Sequence, residues 1–541
     1  MQVPATATRR GGGIAYKWVV AMVTVVGVFM AILDSTIVNI AIPRLQTAFG
    51  ADLHSVQWVL TGYLLAQAVG TPVVAFFSDR LGIKRFYIIS LAAFTIGSAL
   101  CGLSWSLPTL IFFRILQGLG GAALFPLSMT LIFREFPPQE RGSAMGLFGV
   151  PALLAPALGP TLGGYIVTYA GWPLIFFINV PIGIVAVTLS MIFLREFSDN
   201  THSSFDLLGF IFSAVGLGTL LYGLSNASTD GWGSVTVLGF MGIGILALFV
   251  FVVVELMIVN RGGQPLLDLR VFANRSFLTS TIASVLVVFA LYGGLFLLPV
   301  YLQALRGQSA FQAGLILLPQ ALASMLATVV SGRLVDRIGV RAIVIPGLLV
   351  LAFANWQLSF LTINSSYSWL QLILVLRGFA LGLTMQPLMV SAMAEIRPQL
   401  LAQASSMSTA VRFVASSLGI AILATLVQTQ TKIHFDHLAE QVTATSPIGQ
   451  MLPRLQALFV ARGADLATAK TTALQLIAQL VQRQGYVLAI QDAFLLTLVF
   501  VIISVIATLF VSGSRRQAAT NGQPAQEEHT AAHAEMELAL V

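Results

Sequence analysis

The sequence predicts an all-α integral membrane protein with fourteen transmembrane helices, arranged as two six-helix halves and two helices inserted between them. Three observations lead there. Of 541 residues, 57% are hydrophobic and only 9% charged, whereas a soluble chain carries about 25% charge. Apolar runs of 18 to 26 residues recur along the chain. At about 1.5 Å per residue these cross a hydrocarbon core of about 30 Å as helices and are too long for barrel strands. The third observation is an internal repeat.

Span 1 (18–42) opens at Lys17 and closes at Pro43 and Arg44, and span 2 (56–77) ends in the basic loop FSDRLGIKR. Span 3 (86–103) follows, then span 4 (108–133), which closes at Arg134, span 5 (143–168) behind Arg141, and span 6 (172–194) before Arg195. Spans 7 (207–224) and 8 (235–259) form the insert. Span 9 (277–302) starts after Arg275, and span 10 (310–330) runs into a second basic loop. Spans 11 (342–363), 12 (369–393) and 13 (404–427) precede a long loop, about 428–485, and span 14 (486–511) ends the series. The halves are thus 1–200 and 271–512, the insert 201–270, and 513–541 a polar tail expected to be disordered.

An even count places both termini on one side. That side then holds 18 of the 28 cations, against two in the short segments opposite, Arg44 and Arg306. Five more lie in the one long loop, to which the positive-inside rule barely applies, and three inside spans. Both termini are therefore expected in the cytoplasm and the protein in the cytoplasmic membrane. The net charge of +7 belongs to this asymmetry and not to a nucleic-acid surface. Cys101 is the single cysteine, so neither a disulfide framework nor a thiolate metal site is expected. The apolar run after Lys17 exceeds a signal-peptide core of roughly 7 to 15 residues, so the first span is read as retained. No metal cluster, nucleophile triad or Walker string occurs. No catalytic site, bound cofactor or direct use of ATP is therefore expected.

The two basic loops, FSDRLGIKR (77–85) and GRLVDRIGVR (332–341), repeat Asp-Arg-x-Gly on the same side of the membrane. Each is followed two spans later by an arginine in a Gly- and Pro-rich helix, RILQGLGGAALFP (114–126) and RGFALGLTMQP (377–387). An even-numbered insert leaves the halves parallel, as in repeats related by an axis along the membrane normal. With LDSTIVNIAIP (33–43), VQWVLTGYLL (56–65), LGPTLGG (158–164), FFINVPIGI (176–184) and QGYVLAIQDAF (484–494), these strings resemble the major facilitator superfamily, in particular the fourteen-span drug:proton antiporters of the EmrB/QacA type. The family's glycine four residues before the loop aspartate is Ala75 in the first half and Gly332 in the second; a small residue is kept.

Asp34 is the one acid deep in a span, and a charge there is costly, so an intramembrane acid marks a proton or ion pathway. Arg114, at similar depth in span 4, stays protonated and can hold or release Asp34; a static ion pair is the alternative. The resemblance assigns both positions to proton coupling. Arg377 and Arg412 have no acid nearby in sequence; each either lines the cavity or satisfies backbone carbonyls. Asn39, Trp58, Tyr63, Gln67, Gln117 and Gln386 are further cavity candidates for lipophilic ligands. Asn179 in FFINVPIGI reads as structural, and Glu255 and Asp492 as solvated interfacial acids.

In LGPTLGG, Pro160 removes a backbone donor while Gly159, Gly163 and Gly164 permit close helix contact, so span 5 can bend; the match to the antiporter motif implies gating. Asp79, Arg80, Gly82, Lys84 and Arg85, with Asp336, Arg337, Gly339 and Arg341, read as a latch closing the inner side. An aspartate there either pairs with loop arginines or caps a neighbouring helix.

Within 428–485, residues 465–483 have helical spacing and are expected to extend span 14 outward. A docking surface for a periplasmic adaptor, a lid or lipid vestibule, and a solvated helix pair are its alternative roles. The expected function is proton-coupled efflux of lipophilic small molecules such as drugs, with membrane lipids as surroundings. A lipid exporter of the same fold and a non-transporting scaffold or receptor are the other readings.

Overall fold

The computed structural model describes residues 15–197, 205–443, 445, 446 and 448–511; the tail 513–541 and the boundaries at 200 and 512 lie outside the described residues. Among these residues every regular element is helical. The first half holds α1 (Tyr16–Phe49), α2 (Ser55–Leu81), α3 (Ile83–Gly102), α4 (Leu107–Glu135), α5 (Arg141–Tyr169) and α6 (Leu174–Phe193). The insert is α7 (Leu207–Asp230) and α8 (Val235–Asn260). The second half follows with α9 (Arg275–Leu305), α10 (Phe311–Ile338), α11 (Val340–Leu358), α12 (Tyr367–Met393) and α13 (Leu401–Glu440). A short α14 (Met451–Ala461) then precedes α15 (Leu466–Leu509). Thirteen of these helices are long and apolar enough to cross a membrane, fourteen with the bent α5. Helices α1–α13 are spans 1–13, and α15 is span 14.

Helix starts are set by side-chain caps. Asp52, Ser106, Asn274, Ser309, Ser366 and Asp465 each accept the N–H three residues on, satisfying donors that the first turn leaves open. Gly82 and Gly339 close α2 and α10 at the same φ of 87°, a conformation that glycine alone adopts without strain. The repeated loops are thus one turn used twice. Helix α5 bends by 43° between Pro138–Pro156 and Thr161–Val167; the Pro160 ring lies outside the described residues.

The halves meet tightly at the arginine-rich end. Glycines 142 and 146 of α5 form a GxxxG face against α10: a β-carbon on Gly142 would lie 2.5 Å from the carbonyl oxygen of Gly332, and one on Gly146 2.9 Å from that of Thr328. Beside them α4 meets α13, where the hydroxyls of Thr130 and Ser405 lie 3.2 Å apart and Ser405 also donates to the Pro126 carbonyl at 3.1 Å.

The insert bridges the seam between α2 and α13. Tyr222 of α7 stacks on Trp58 of α2 with centroids 5.6 Å apart, and Trp232, just past α7, donates from Nε1 to Thr425 Oγ1 at 2.8 Å. At the opposite end from the arginines, α13 runs on to Glu440 instead of ending near 427, and α15 starts at Leu466. With 40 and 44 residues they are twice the roughly 20 a bilayer needs, so they project about 30 Å beyond it. Polar residues on these extensions are held in helix by pairing: Gly485 packs against the backbone of Thr431 and Phe435, and His434 meets Asp492 at 2.7 Å.

Candidate functional site

The first half is built around one polar cluster. The glycines of RILQGLGGA draw α4 onto α2 and α3. A β-carbon on Gly118 would lie 2.5 Å from the Tyr63 carbonyl oxygen, one on Gly120 2.6 Å from the Phe94 nitrogen, and one on Gly121 2.6 Å from Gln67 Nε2. That approach carries Arg114 and Gln117 to Asp34 on α1. Arg114 Nη1 donates to Asp34 Oδ2 at 2.6 Å and to Gln117 Oε1 at 2.8 Å, and its Nε donates to the Val59 carbonyl at 3.1 Å. Gln117 Nε2 donates to Asp34 Oδ1 at 3.0 Å and Asn179 Nδ2 to the same oxygen at 2.8 Å. The Arg114 guanidinium lies 4.0 Å from the centroid of the Tyr63 ring, and Gln67 donates to the Tyr63 hydroxyl at 2.8 Å. Asp34, Arg114, Gln117 and Asn179 are fully buried.

Three donors, one of them charged, therefore address the buried Asp34. Two groups stay open: Arg114 Nη2 and Asn179 Oδ1 have no hydrogen-bond partner. The cluster can hold a buried carboxylate, its charge met by the guanidinium and two amides. In the sequence Asn179 reads as structural; the fold shows that α6 brings its amide to Asp34.

The other cavity candidates lie apart. Asn39 is exposed and donates to the Ser35 carbonyl at 3.4 Å. Trp58 lies against the insert. Gln386 fills the hollow over Gly149 of α5, across the seam between the halves, with its Oε1 unpartnered. Arg412 is half-buried and donates to Ser284 Oγ at 2.9 Å. Arg377 is fully buried, donating to Asn355 Oδ1 at 3.3 Å and to the Ala290 carbonyl, and it lies over Gly294, where any side chain would strike the guanidinium. Glu255 is not solvated: it is 1% exposed, because α7 and the segment after α8 cover it. No group of three or more metal-ligating side chains occurs among the described residues.

At the arginine-rich end, Asp336 caps a helix of the other half. Its Oδ1 accepts the Gly142 N–H at 2.9 Å, and its Oδ2 accepts the Ser143 N–H at 2.9 Å and hydroxyl at 2.7 Å. Asp79 is half-buried, and Arg80 and Arg337 are exposed. Beside Gly82, the N–H groups of Lys84 and Arg85 donate to Glu196 at 3.0 and 3.2 Å, so α3 is capped from the end of α6. Glu196 went unnoticed in the sequence; its signal is an acid directly after Arg195 at the close of span 6. Arg341, past Gly339, donates to the Val511 carbonyl. In α5, Gly159 faces Thr36 and Gly163 faces Ile37 of α1, while the space over Gly164 is open.

The Major Facilitator Superfamily model matches residues 24–420. The chain is 35% identical to the uncharacterized MFS-type transporter YhcA of Bacillus subtilis, over 92% of this chain and 93% of that protein. It is 31% identical to the multidrug export protein EmrB of Escherichia coli, over 86% of this chain and 90% of EmrB. Among solved structures, the human organic anion transporter MFSD10 shares the fold at a TM-score of 0.56 and 16% identity, covering 90% of this chain and 99% of its own. The chain belongs to the Major Facilitator Superfamily and is a multi-pass membrane transporter whose relatives include a multidrug exporter.

Proposed function

We propose that the protein exports lipophilic small molecules across the cytoplasmic membrane in exchange for protons, with the proton gradient as its only energy source and no cofactor. The observation that carries this reading is the buried Asp34 carboxylate, addressed by Arg114, Gln117 and Asn179. A carboxyl so placed exchanges its proton only when a path opens to one side and Arg114 loosens. The basic asymmetry of the loops supports a cytoplasmic position for the arginine-rich end and for both termini. With that end closed, Asp34 would take a proton from outside and substrate would leave; with it open, the proton would pass to the cytoplasm and substrate would bind. One half rocking on the other suffices. Likeness to EmrB supports drugs as the substrate class.

The test is liposomes with an imposed pH gradient and a trapped pH-sensitive dye, given lipophilic cations, neutrals and weak acids. Proton movement on adding one class, absent in Asp34→Asn, is the expected result; proton movement that persists in the variant would sink it.

A second reading, export of a membrane lipid or lipid conjugate, is favoured by a cleft of about 940 Å³ between the projecting parts of α13 and α15, lined by Phe296, Phe435, Tyr486, Lys432 and glutamines. Lipid retained through purification would support it. The same projection would seat a periplasmic adaptor, and transport retained after deleting residues 440–480 would argue against an obligatory partner.

A further inference from the structure

We propose that Glu255 and Asp206 form a second proton-binding site, a carboxyl–carboxylate pair that holds one proton between α7 and α8 of the insert. Glu255 lies near the arginine-rich end of α8, 1% exposed, and neither of its oxygens makes a well-formed hydrogen bond, the backbone N–H groups of Leu266 and Leu267 being the donors beside them. Asp206 caps α7, its Oδ1 accepting the Gly209 N–H at 2.9 Å, while its Oδ2 is buried and unpartnered. The two acids meet over Gly209. A β-carbon there would run into Asp206 Oδ2 and lie 2.7 Å from Glu255 Oε1, so both oxygens border the space that one methyl group would fill.

Ionised carboxylates only accept hydrogen bonds. Three acceptor oxygens without a well-formed hydrogen bond, on two like charges of which Glu255 is buried, disfavour the doubly ionised pair. One proton removes the conflict: the protonated acid donates to the other. The charged groups on the packed elements do not do this instead. Asp268, on the segment between α8 and α9, adds a further negative charge, and Arg270 is bound to Asp268 through Nε at 2.9 Å and Nη2 at 2.7 Å. Among the described residues no cation is paired with Glu255 or Asp206.

The site is wired to the closed end of the molecule. The segment after α8 buries Leu266 and Leu267 beside Glu255, and the Asp268 N–H donates to Gln403 Oε1 of α13 at 2.8 Å. Ser405, two residues on, forms the contact between α13 and α4. Loss of the proton forces the carboxylates apart and loosens that attachment.

The experiment is infrared difference spectroscopy of the full chain in detergent at about pH 7, where a solvated glutamate is ionised. It reads the carbonyl stretch of protonated carboxyls and needs no transport, so its outcome is independent of the proposed efflux. The wild type is expected to show a protonated-carboxyl band that Glu255→Gln removes, that Asp206→Asn shifts, and that Asp34→Asn leaves in place. A wild-type spectrum without a band sensitive to Glu255→Gln or to Asp206→Asn overturns the proposal, as does a band that disappears with Asp34→Asn. Should Glu255→Gln fail to fold, the shift in Asp206→Asn decides alone.

Discussion

Asp34 and Arg114 meet at 2.6 Å, both fully buried, whereas Arg377, the arginine that repeats Arg114 in the second half, is equally buried and, among the described residues, donates only to an amide and a carbonyl. The two halves share a scaffold, and one of them carries an acid. Removing one partner of a buried ion pair leaves an uncompensated charge at a cost of about 3–5 kcal/mol. Asp34→Asn is therefore expected to lower the thermal unfolding midpoint and to abolish substrate-dependent proton flux. Adding Arg114→Gln to it should restore much of the stability and none of the flux, which separates folding from coupling in one pair of measurements.

Asn179 and Gln117 each supply one donor to Asp34 Oδ1. Leaving a buried acceptor short of a donor costs about 1–3 kcal/mol. Asn179→Leu and Gln117→Leu should each lose stability in that range and impair proton flux, read by thermal unfolding and the liposome assay. Asn39→Ala, at an exposed position, should change neither; a defect there equal to that of Asn179→Leu would refute this division.

Fourteen spans were legible because bilayer thickness fixes the length of an apolar run, and Asp34 and Arg114 because ions stand out in such runs. The amide of Asn179 and the carboxylate of Glu196 were not legible. Each acts on a helix far away in sequence, and nothing local distinguishes a polar group that satisfies its own turn from one that reaches a neighbour. Glu255 failed for the converse reason: its place near a helix end implied water, and only the packing of the insert excludes it. The outer reach of α13 was missed because polar residues after 427 look like loop until α15 is seen beside them.

Asp336 ties α10 to the first turn of α5 through three hydrogen bonds. Loss of such a cap costs about 1 kcal/mol, about a fivefold shift in a two-state equilibrium. In a Ser405→Cys background, Asp336→Ala should raise thiol labelling at 405 severalfold, because the Thr130 contact opens with the end it closes. Buried Cys101 stays unlabelled. Unchanged labelling would remove Asp336 from the gate.

The glycines of the bent helix are not equivalent. At Gly159 a β-carbon would lie 2.7 Å from the Thr36 β-carbon, whereas at Gly164 the space is open. Overpacking costs about 1–3 kcal/mol, and alanine gains about 0.5–1 kcal/mol over glycine in a helix. Gly159→Ala should thus destabilise and disturb the approach of α5 to α1, while Gly164→Ala should stabilise slightly; equal effects in thermal unfolding would refute the contact.

Asp268 fixes the segment between α8 and α9 to α13, and the hydrogen bonds from Arg270 hold its carboxyl below the usual range against the opposing effect of burial. A carboxyl lowered on folding stabilises fully above its unfolded pKa, about 3.9, and that contribution is lost as pH falls through the lower folded value. The Asp268 contribution to the attachment should therefore be constant across neutral and mildly acid pH and be lost below the ordinary aspartate range. The effect is small because Arg270 is largely exposed. Amide hydrogen-exchange protection over 269–273, relative to the intrinsic rate at each pH, reads it: Asp268→Asn at neutral pH should match the lowered protection of wild type at low pH, and protection equal to neutral wild type would mean that the Gln403 contact holds without the ion pair.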